Sequence, residues 1–351
     1  MTDATREPIV QPERRRRRGW RWLVILLVLF VVLWCAYWFG SSWLAATAAD
    51  RLVASLTANG RALACVENTT GGFPLTLDLE CTDASFTDDR QGMRVALSGA
   101  AASAPLYWPG SIQGSLAGPL AVDAPIQGLS LDADWTLATA ELDAGFSGVN
   151  RLAVALDGVA VTPRPDGVRL LFERFSAGEA EVIAEPVADN AYRFYVRAED
   201  IHMTPIGGEN YPEAAAWLDA AARDFGSALG TDPQATIRAW VAGGGVVDVE
   251  RLGFALGDAS AIASGTVEVA PDGLLSGELI VRLTNLDALP AAIDEIQPGA
   301  GDQVAQAIGA AGMFMRPVED DPDASDLLLT IRNGTVSIGI IPLGSIPPLR
   351  L

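Results

Sequence analysis

The chain has 351 residues, half of them apolar, with 35 glycines, 21 prolines and a formal net charge of −20. This composition excludes a disordered acidic tail, which lacks the apolar residues to build a core, and a helical repeat array, which would not carry so many breakers. All 24 basic residues are arginine and seven precede the first apolar run; the remainder sets 17 arginines against 41 acids, so nucleic acid is not an expected partner.

Residues 1–21 form an Arg-rich tail, read as cytoplasmic. The segment Trp22 to Trp43, WLVILLVLFVVLWCAYWFGSSW, holds no charged residue, and as a helix it spans about 33 Å, the thickness of a bilayer's hydrocarbon core. Trp20 and Trp22 mark one membrane interface and Trp38 and Trp43, with Tyr37, mark the other. The run Arg14 to Arg18 keeps the N-terminus in the cytoplasm and sends everything beyond Trp43 across, giving a single-pass membrane protein. A cleaved signal peptide is the alternative, because Ala46-Thr47-Ala48 offers a small-x-small site; the length of the apolar run and its flanking tryptophans favour a retained anchor. Residues 44–60 read as a juxtamembrane helix, with Leu44, Ala48, Leu52 and Leu56 spaced by four and Gly60 as its stop.

Residues 61–351 read as one exported β-rich domain, with a subdivision near 205–235. Period-two alternation marks strands at 75–79, 129–135, 152–156, 168–175, 192–198, 246–256, 265–270, 274–283 and 327–341. Asp166-Gly167, Asp272-Gly273 and Asn333-Gly334 supply turns that join neighbouring runs into hairpins. Two helices interrupt the pattern. Asn210 to Glu213 resembles a capping box, followed by Trp217, Ala221, Phe225 and Leu229 at four-residue spacing and a stop at Gly230. The second covers Leu286 to Phe314 and breaks at Pro298-Gly299. The expected fold is mainly β with a few helices (α+β): a transmembrane helix, then an antiparallel meander with packed helices, to which the family resemblance given below adds an elongated sheet that curls into a groove.

No catalytic, cofactor or metal constellation emerges. His202 is the single histidine, and no G-x-S-x-G elbow exists to pair with it. Gly243-Gly244-Gly245 precedes a strand rather than a helix, so it is not a phosphate loop. The acidic run from Glu319 to Asp326 lacks the glycine and terminal glutamate of a calcium loop and reads as a solvated face. A non-enzymatic role is therefore expected.

Cys35 lies within the apolar span. Cys65 and Cys81 lie beyond it, on the side read as exported and oxidising. Cys81 shares a strand face with Leu75, Leu77 and Leu79, and a hairpin folded near Phe73 would bring the two cysteines together. A Cys65–Cys81 bridge is expected, closing a loop worth about 3 kcal/mol.

The basic N-terminus, the Trp/Tyr-rich span, the pattern C-x-x-x-x-x-G-G-F-P-L-x-L-x-L-x-C at 65–81, PDGLLSGEL at 271–279 and the tail LLLTIRNGTVSIGIIPLG resemble an uncharacterised alphaproteobacterial family, domain of unknown function 2125, grouped with the AsmA-like proteins. The resemblance implies an inner-membrane protein with an elongated periplasmic sheet that forms an apolar groove. It also implies a lipid ligand, since the wider group is linked to outer-membrane biogenesis and lipid passage. The alternative is a periplasmic scaffold that engages other envelope proteins through its sheet edges and acidic surface.

Overall fold

The computed structural model describes residues 17–349 apart from 59, 109, 127, 146–147, 165–171, 209–210 and 230–232. The arginines at 14–16, the turn at Asp166-Gly167, the cap at Asn210 and the stop at Gly230 lie outside the described residues, as do the side chains of Trp20, Leu44, Ala48, Leu52 and Leu56. Helix α1 runs without a break from Arg17 to Ala58, so the apolar span and the Ala-rich segment after it form one rod.

A single antiparallel sheet of 18 strands follows. Strands β1 (Arg61–Ala64) and β2 (Glu67–Gly71) lie end to end along one edge of β3 (Thr76–Asp88), which pairs with β4 (Met93–Pro105), and β4 with β5 (Ser111–Ala124). Strands β6 (Leu129–Asp134) and β7 (Leu137–Gly145) share the next place, between β5 and β8 (Gly148–Pro163). Then β9 (Phe172–Pro186), β10 (Tyr192–Pro205), β11 (Ala214–Ala222), β12 (Gly245–Leu256), β13 (Ala259–Val269) and β14 (Leu275–Thr284) each pair with the strand before. Short β15 (Arg316–Val318) and β17 (Thr335–Ile338) share the far edge of β16 (Asp321–Arg332), which pairs with β14, and β18 (Ile341–Ser345) pairs with β17. Sequential strands are neighbours except at β1–β2, β6–β7 and β14–β15, which is the meander expected from the turn chemistry. Asn333 and Gly334 take φ of 46° and 79° at the β16–β17 turn, and Gly273 takes 82° between β13 and β14.

One expected helix is a strand. Residues 214–222, AAAWLDAAA, form β11, hydrogen-bonded to β10 on one side and β12 on the other, so the ladder passes unbroken through the region read as a subdivision. Only Phe225–Ala228 (α2) remains helical from that prediction, followed by α3 (Pro233–Ala242). Alanine carries little information about period, because it suits either face of a strand; two flanking strands then override its helical propensity. The second predicted helix is present as α4 (Leu289–Ile296) and α5 (Gly301–Ala311), separated at Pro298-Gly299 and flanked by 3₁₀ turns.

Directly opposed residues on antiparallel strands share a face, so the registers trace each face across the sheet. One row runs Leu79, Ala102, Gly114, Ala140, Val154, Val182, Val196, Leu218, Leu252, Ala263, Val281 and Leu327, crossing from β3 to β16 without a polar side chain. The row displaced by one residue runs Asp78, Ser103, Gln113, Glu141, Ala153, Ile183, Tyr195, Asp219 and Arg251. The alternation slips by one residue at Asp83, Gly158 and Asp200, whose φ angles are 49°, 61° and 52°. These mid-strand irregularities keep the apolar residues on one side as the strands lengthen. Two glycines make room there: a Cβ on Gly158 would lie 2.5 Å from Thr136 Oγ1, and one on Gly178 would lie 2.6 Å from Asp200 Oδ2.

The accessible surface is 23,436 Å², against about 13,600 Å² for a closed globule of 36.9 kDa. The protruding helix α1 and a sheet one layer thick both contribute to the difference. Gly158→Val should destabilise the full chain by about 2 kcal/mol or more, because a β-branched residue is forced into a positive φ beside Thr136. Thermal melting of the detergent-solubilised protein reads this loss, and an unchanged midpoint would contradict the bulge assignment.

Candidate functional site

The apolar face is partly covered at its two ends. Near β10–β12, Phe225 of α2 packs on Tyr192 and Phe194 with ring centroids 5.8 and 5.5 Å away, and on Trp240 of α3 at 5.8 Å. Trp240 donates its indole N–H to Arg223 O at 2.8 Å and lies over Gly245, where a Cβ would be 2.8 Å from the ring. At the opposite end of the strands, Ile308 of α5 and Met315 line a cavity of about 500 Å³ with Leu283 and Leu286. The best-packed part of the face lies between, where Val249, Ala263, Leu279 and Ile331 are buried and Val336 and Ile346 pack against them.

Elsewhere the face is open. Ile112, Leu116, Leu152, Val182, Leu252 and Phe254 all lie on it and are exposed, Phe254 at 52 %. A side chain of this size left half exposed forgoes roughly 1 kcal/mol of transfer free energy. Six together forgo roughly 6 kcal/mol, comparable to the net stability of a small domain. A protein without an occupant for this face would lose little by making it polar, as the opposite face already is.

Helix α1 grips the first two hairpins. Trp34 donates its indole N–H to Pro74 O at 2.8 Å, Trp38 to Thr76 O at 2.9 Å, and the Tyr37 hydroxyl to Leu106 O at 3.2 Å. The Trp38 ring also meets Phe73 edge-on at 5.4 Å. Of the predicted interface aromatics, Trp22 and Trp43 are exposed, whereas Trp38 is only 8 % exposed because the hairpin tips cover it. Trp34 escaped prediction. Its signal was the i, i+3, i+4 set Trp34, Tyr37 and Trp38, which places three hydrogen-bonding aromatics on one stripe of the helix.

The polar face carries cross-strand ion pairs. Arg193 bridges Asp219 and Glu250, Arg223 is bidentate to Asp248, and Arg282 is bidentate to Asp326; within β10, Arg197 pairs with Glu199, whose other oxygen accepts from Trp217 on β11. Arg251 sits over the Trp217 ring, 4.7 Å from its centre. Most of these groups are exposed enough that each pair stabilises little. Their effect is to make this face more charged and wetter than the other. Asp88, at the end of β3, is buried and accepts from Arg61 Nε at 3.0 Å and from the backbone N–H groups of Arg90 and Gln91 at 3.0 and 3.2 Å, capping the β3–β4 turn.

His202 lies on the polar face, 3.9 Å from Glu213, both well exposed. Within the acidic run, Asp326 is taken by Arg282, and Asp321 accepts from the backbone of Asp323 at 3.2 Å. Among the described residues no three His, Cys, Asp or Glu side chains converge as a metal ligand set. Gly243 to Gly245 form a turn entering β12.

Cys65 and Cys81 are bonded, with Cα atoms 5.6 Å apart. The hairpin register sets Asn68, not Cys65, opposite Cys81; Cys65 occupies the break between β1 and β2 and reaches the partner diagonally. Replacing both cysteines by serine should cost about 3 kcal/mol, the loop-closure contribution of a link across this separation. Denaturant titration of the full chain with and without reductant measures it. A pH series checks the carboxylates. Arg61 holds Asp88 below the usual carboxylate range, as Arg197, Arg223 and Arg282 do for Glu199, Asp248 and Asp326. A depressed folded value stabilises fully above the unfolded value of about 4 and is lost as pH falls through the folded one. Melting temperature should therefore drop on acidification below about pH 4, and less steeply in Asp88→Asn.

The described helices include one long and apolar enough to cross a membrane, Trp22–Trp43. No curated protein and no solved structure matches the chain. A family model matches residues 38–347, from the end of the apolar span through the last strand, so the chain belongs to the DUF2125 family of uncharacterised proteins conserved in bacteria.

Proposed function

We propose that this is a non-enzymatic, single-pass protein of the bacterial inner membrane whose periplasmic sheet binds or shields lipid acyl chains. The observation that carries this reading is the apolar row crossing β3 to β16, with six large side chains left open on that face. Acyl chains suit it because they ask for area and offer no hydrogen bonds, and the row supplies no donor or acceptor from its side chains. The Arg-rich flank of α1 supports the orientation, and the Cys65–Cys81 bond supports a compartment in which disulfides persist. The likeness of the GGFPL segment and the LLLTIRNG tail to the alphaproteobacterial, AsmA-like group supports a role in envelope lipid homeostasis.

A scaffold role is the second reading, favoured by one observation. Among the described residues strand β18 pairs only with β17, and Ile341 and Leu343, with Ile340 in the turn before them, are exposed at this edge, where another chain could add a strand. Native mass spectrometry after mild extraction separates the two. Phospholipid should co-purify with the wild type and be lost from Leu252→Glu/Phe254→Glu without a fall in melting temperature. A lipid-free wild type carrying stoichiometric protein partners would overturn the acyl-chain reading and favour the scaffold.

A further inference from the structure

The contacts made by α1 fix the depth of the first two hairpin tips. Trp34 lies nine residues before Trp43 in the uncharged span, about 13 Å along the helix axis from its end. The backbone carbonyl that Trp34 holds, Pro74 O, therefore sits well inside the layer that the span occupies, and Thr76 O and Leu106 O lie one turn further out. The tips are equipped for that depth. No charged residue occurs between Glu67 and Asp78 or between Arg94 and Asp123. Phe73, Leu75 and Tyr107 point outward, with Leu75 at 60 % and Tyr107 at 73 % exposure.

Backbone polarity is the stricter test, because irregular chain at membrane depth is tolerated only where its N–H and C=O groups are satisfied within the protein. Gly72 O accepts from the N–H groups of Leu75 and Thr76, Leu75 O from Leu106, Pro105 O from Trp108 and Trp108 O from Ser111. Three further carbonyls of the tips, at 74, 76 and 106, accept from the side chains of α1. Trp108, whose indole N–H points to Asp143 at 3.5 Å, marks where the charged face resumes.

We infer that the rim formed by residues 72–76 and 105–108 is embedded in the acyl layer of the outer leaflet beside α1, so that the apolar face begins inside the membrane. Leu75 is in phase with Leu77 and Leu79, which places the rim in line with the apolar row. The partner is lipid hydrocarbon. Charge on an anionic lipid surface would repel this acidic chain, whereas an uncharged rim inserts on apolar area alone. The inference rests on the reading of α1 as an anchor and does not require the sheet to carry lipid.

Spin labels test it in the full chain reconstituted into nanodiscs of phosphatidylcholine and phosphatidylglycerol. The background is Cys35→Ala with the disulfide intact, and single cysteines are placed at Leu75, Tyr107, Leu29 within the span and Asp272 at a distant turn. Labels at Leu75 and Tyr107 should match Leu29, with an oxygen-to-nickel-chelate accessibility ratio several-fold above that of Asp272. Trp34→Phe, which frees Pro74 O, should move the Leu75 label toward the Asp272 value. Chelate access at Leu75 and Tyr107 with Leu29 in lipid would overturn the embedded rim and leave the anchor standing. Chelate access at Leu29 as well would overturn both. Shielding of Leu75 and Tyr107 from both reagents would mark a protein cover and also overturn it.

Discussion

An antiparallel sheet one layer thick can keep both faces wet, bury one, or leave one apolar and uncovered at a cost. This chain follows the third course over most of its length. The cost recurs strand after strand, and the backbone is adjusted to preserve it: where a strand is long enough for simple alternation to wander, a residue at positive φ resets the phase. Gly158 and Gly178 clear the space these adjustments need. Accidental hydrophobicity would not require such corrections. Every other feature of the molecule depends on this one-sidedness, from the charged rows behind it to the helices that touch only its ends.

The charged face shows what the chain uses instead of a second layer. Its ion pairs link neighbouring strands, as between Arg193 on β10, Asp219 on β11 and Glu250 on β12. Individually these pairs are weak. Collectively they select register, since a slip of one residue would turn arginines and aspartates onto the apolar side and expose leucines on the wet one. The exclusive use of arginine suits this role, because its planar fork holds a carboxylate in fixed geometry while lysine would supply only a point charge.

Most of this was legible in the sequence. Period-two runs located about half of the strands, and Asp272-Gly273 and Asn333-Gly334 located turns, because both signals are local; β4, β5 and β7, rich in Ala, Gly and Ser, carry too few large apolar residues to show the period and were not predicted. The failure at β11 has the same origin: Trp217, Ala221 and Phe225 do fall at helical spacing, and the alanines at 214–216 and 220–222 erase the period of two. What decided the matter was non-local, the presence of unpaired edges on β10 and β12. The disulfide was legible as a pairing but not as a register, since the break between β1 and β2 is set by how two short strands share β3. The apolar face as a candidate site was legible strand by strand. Its continuity was not, because only the registers show that Val154, Val182 and Val196 stand in line.

The link between α1 and the sheet was the least legible feature, and the reason is chemical. Tryptophan and tyrosine near the end of an apolar span have a sufficient explanation at the headgroup layer, where the ring is apolar and the N–H or O–H reaches water. With α1 read as an anchor, Trp34 lies too deep for that explanation, so its N–H requires a partner within the protein. A carbonyl from a hairpin tip is such a partner only if the hairpin comes to it, and a hairpin can come only if its tip is uncharged and internally bonded. No charged residue occurs at 68–77 or 95–122, so the two tips meet the first condition, and their turns supply internal bonds such as Leu75 N–H to Gly72 O and Trp108 N–H to Pro105 O. Three hydrogen bonds from Trp34, Tyr37 and Trp38 thus tie the apolar helix to the sheet at the end where its apolar face begins.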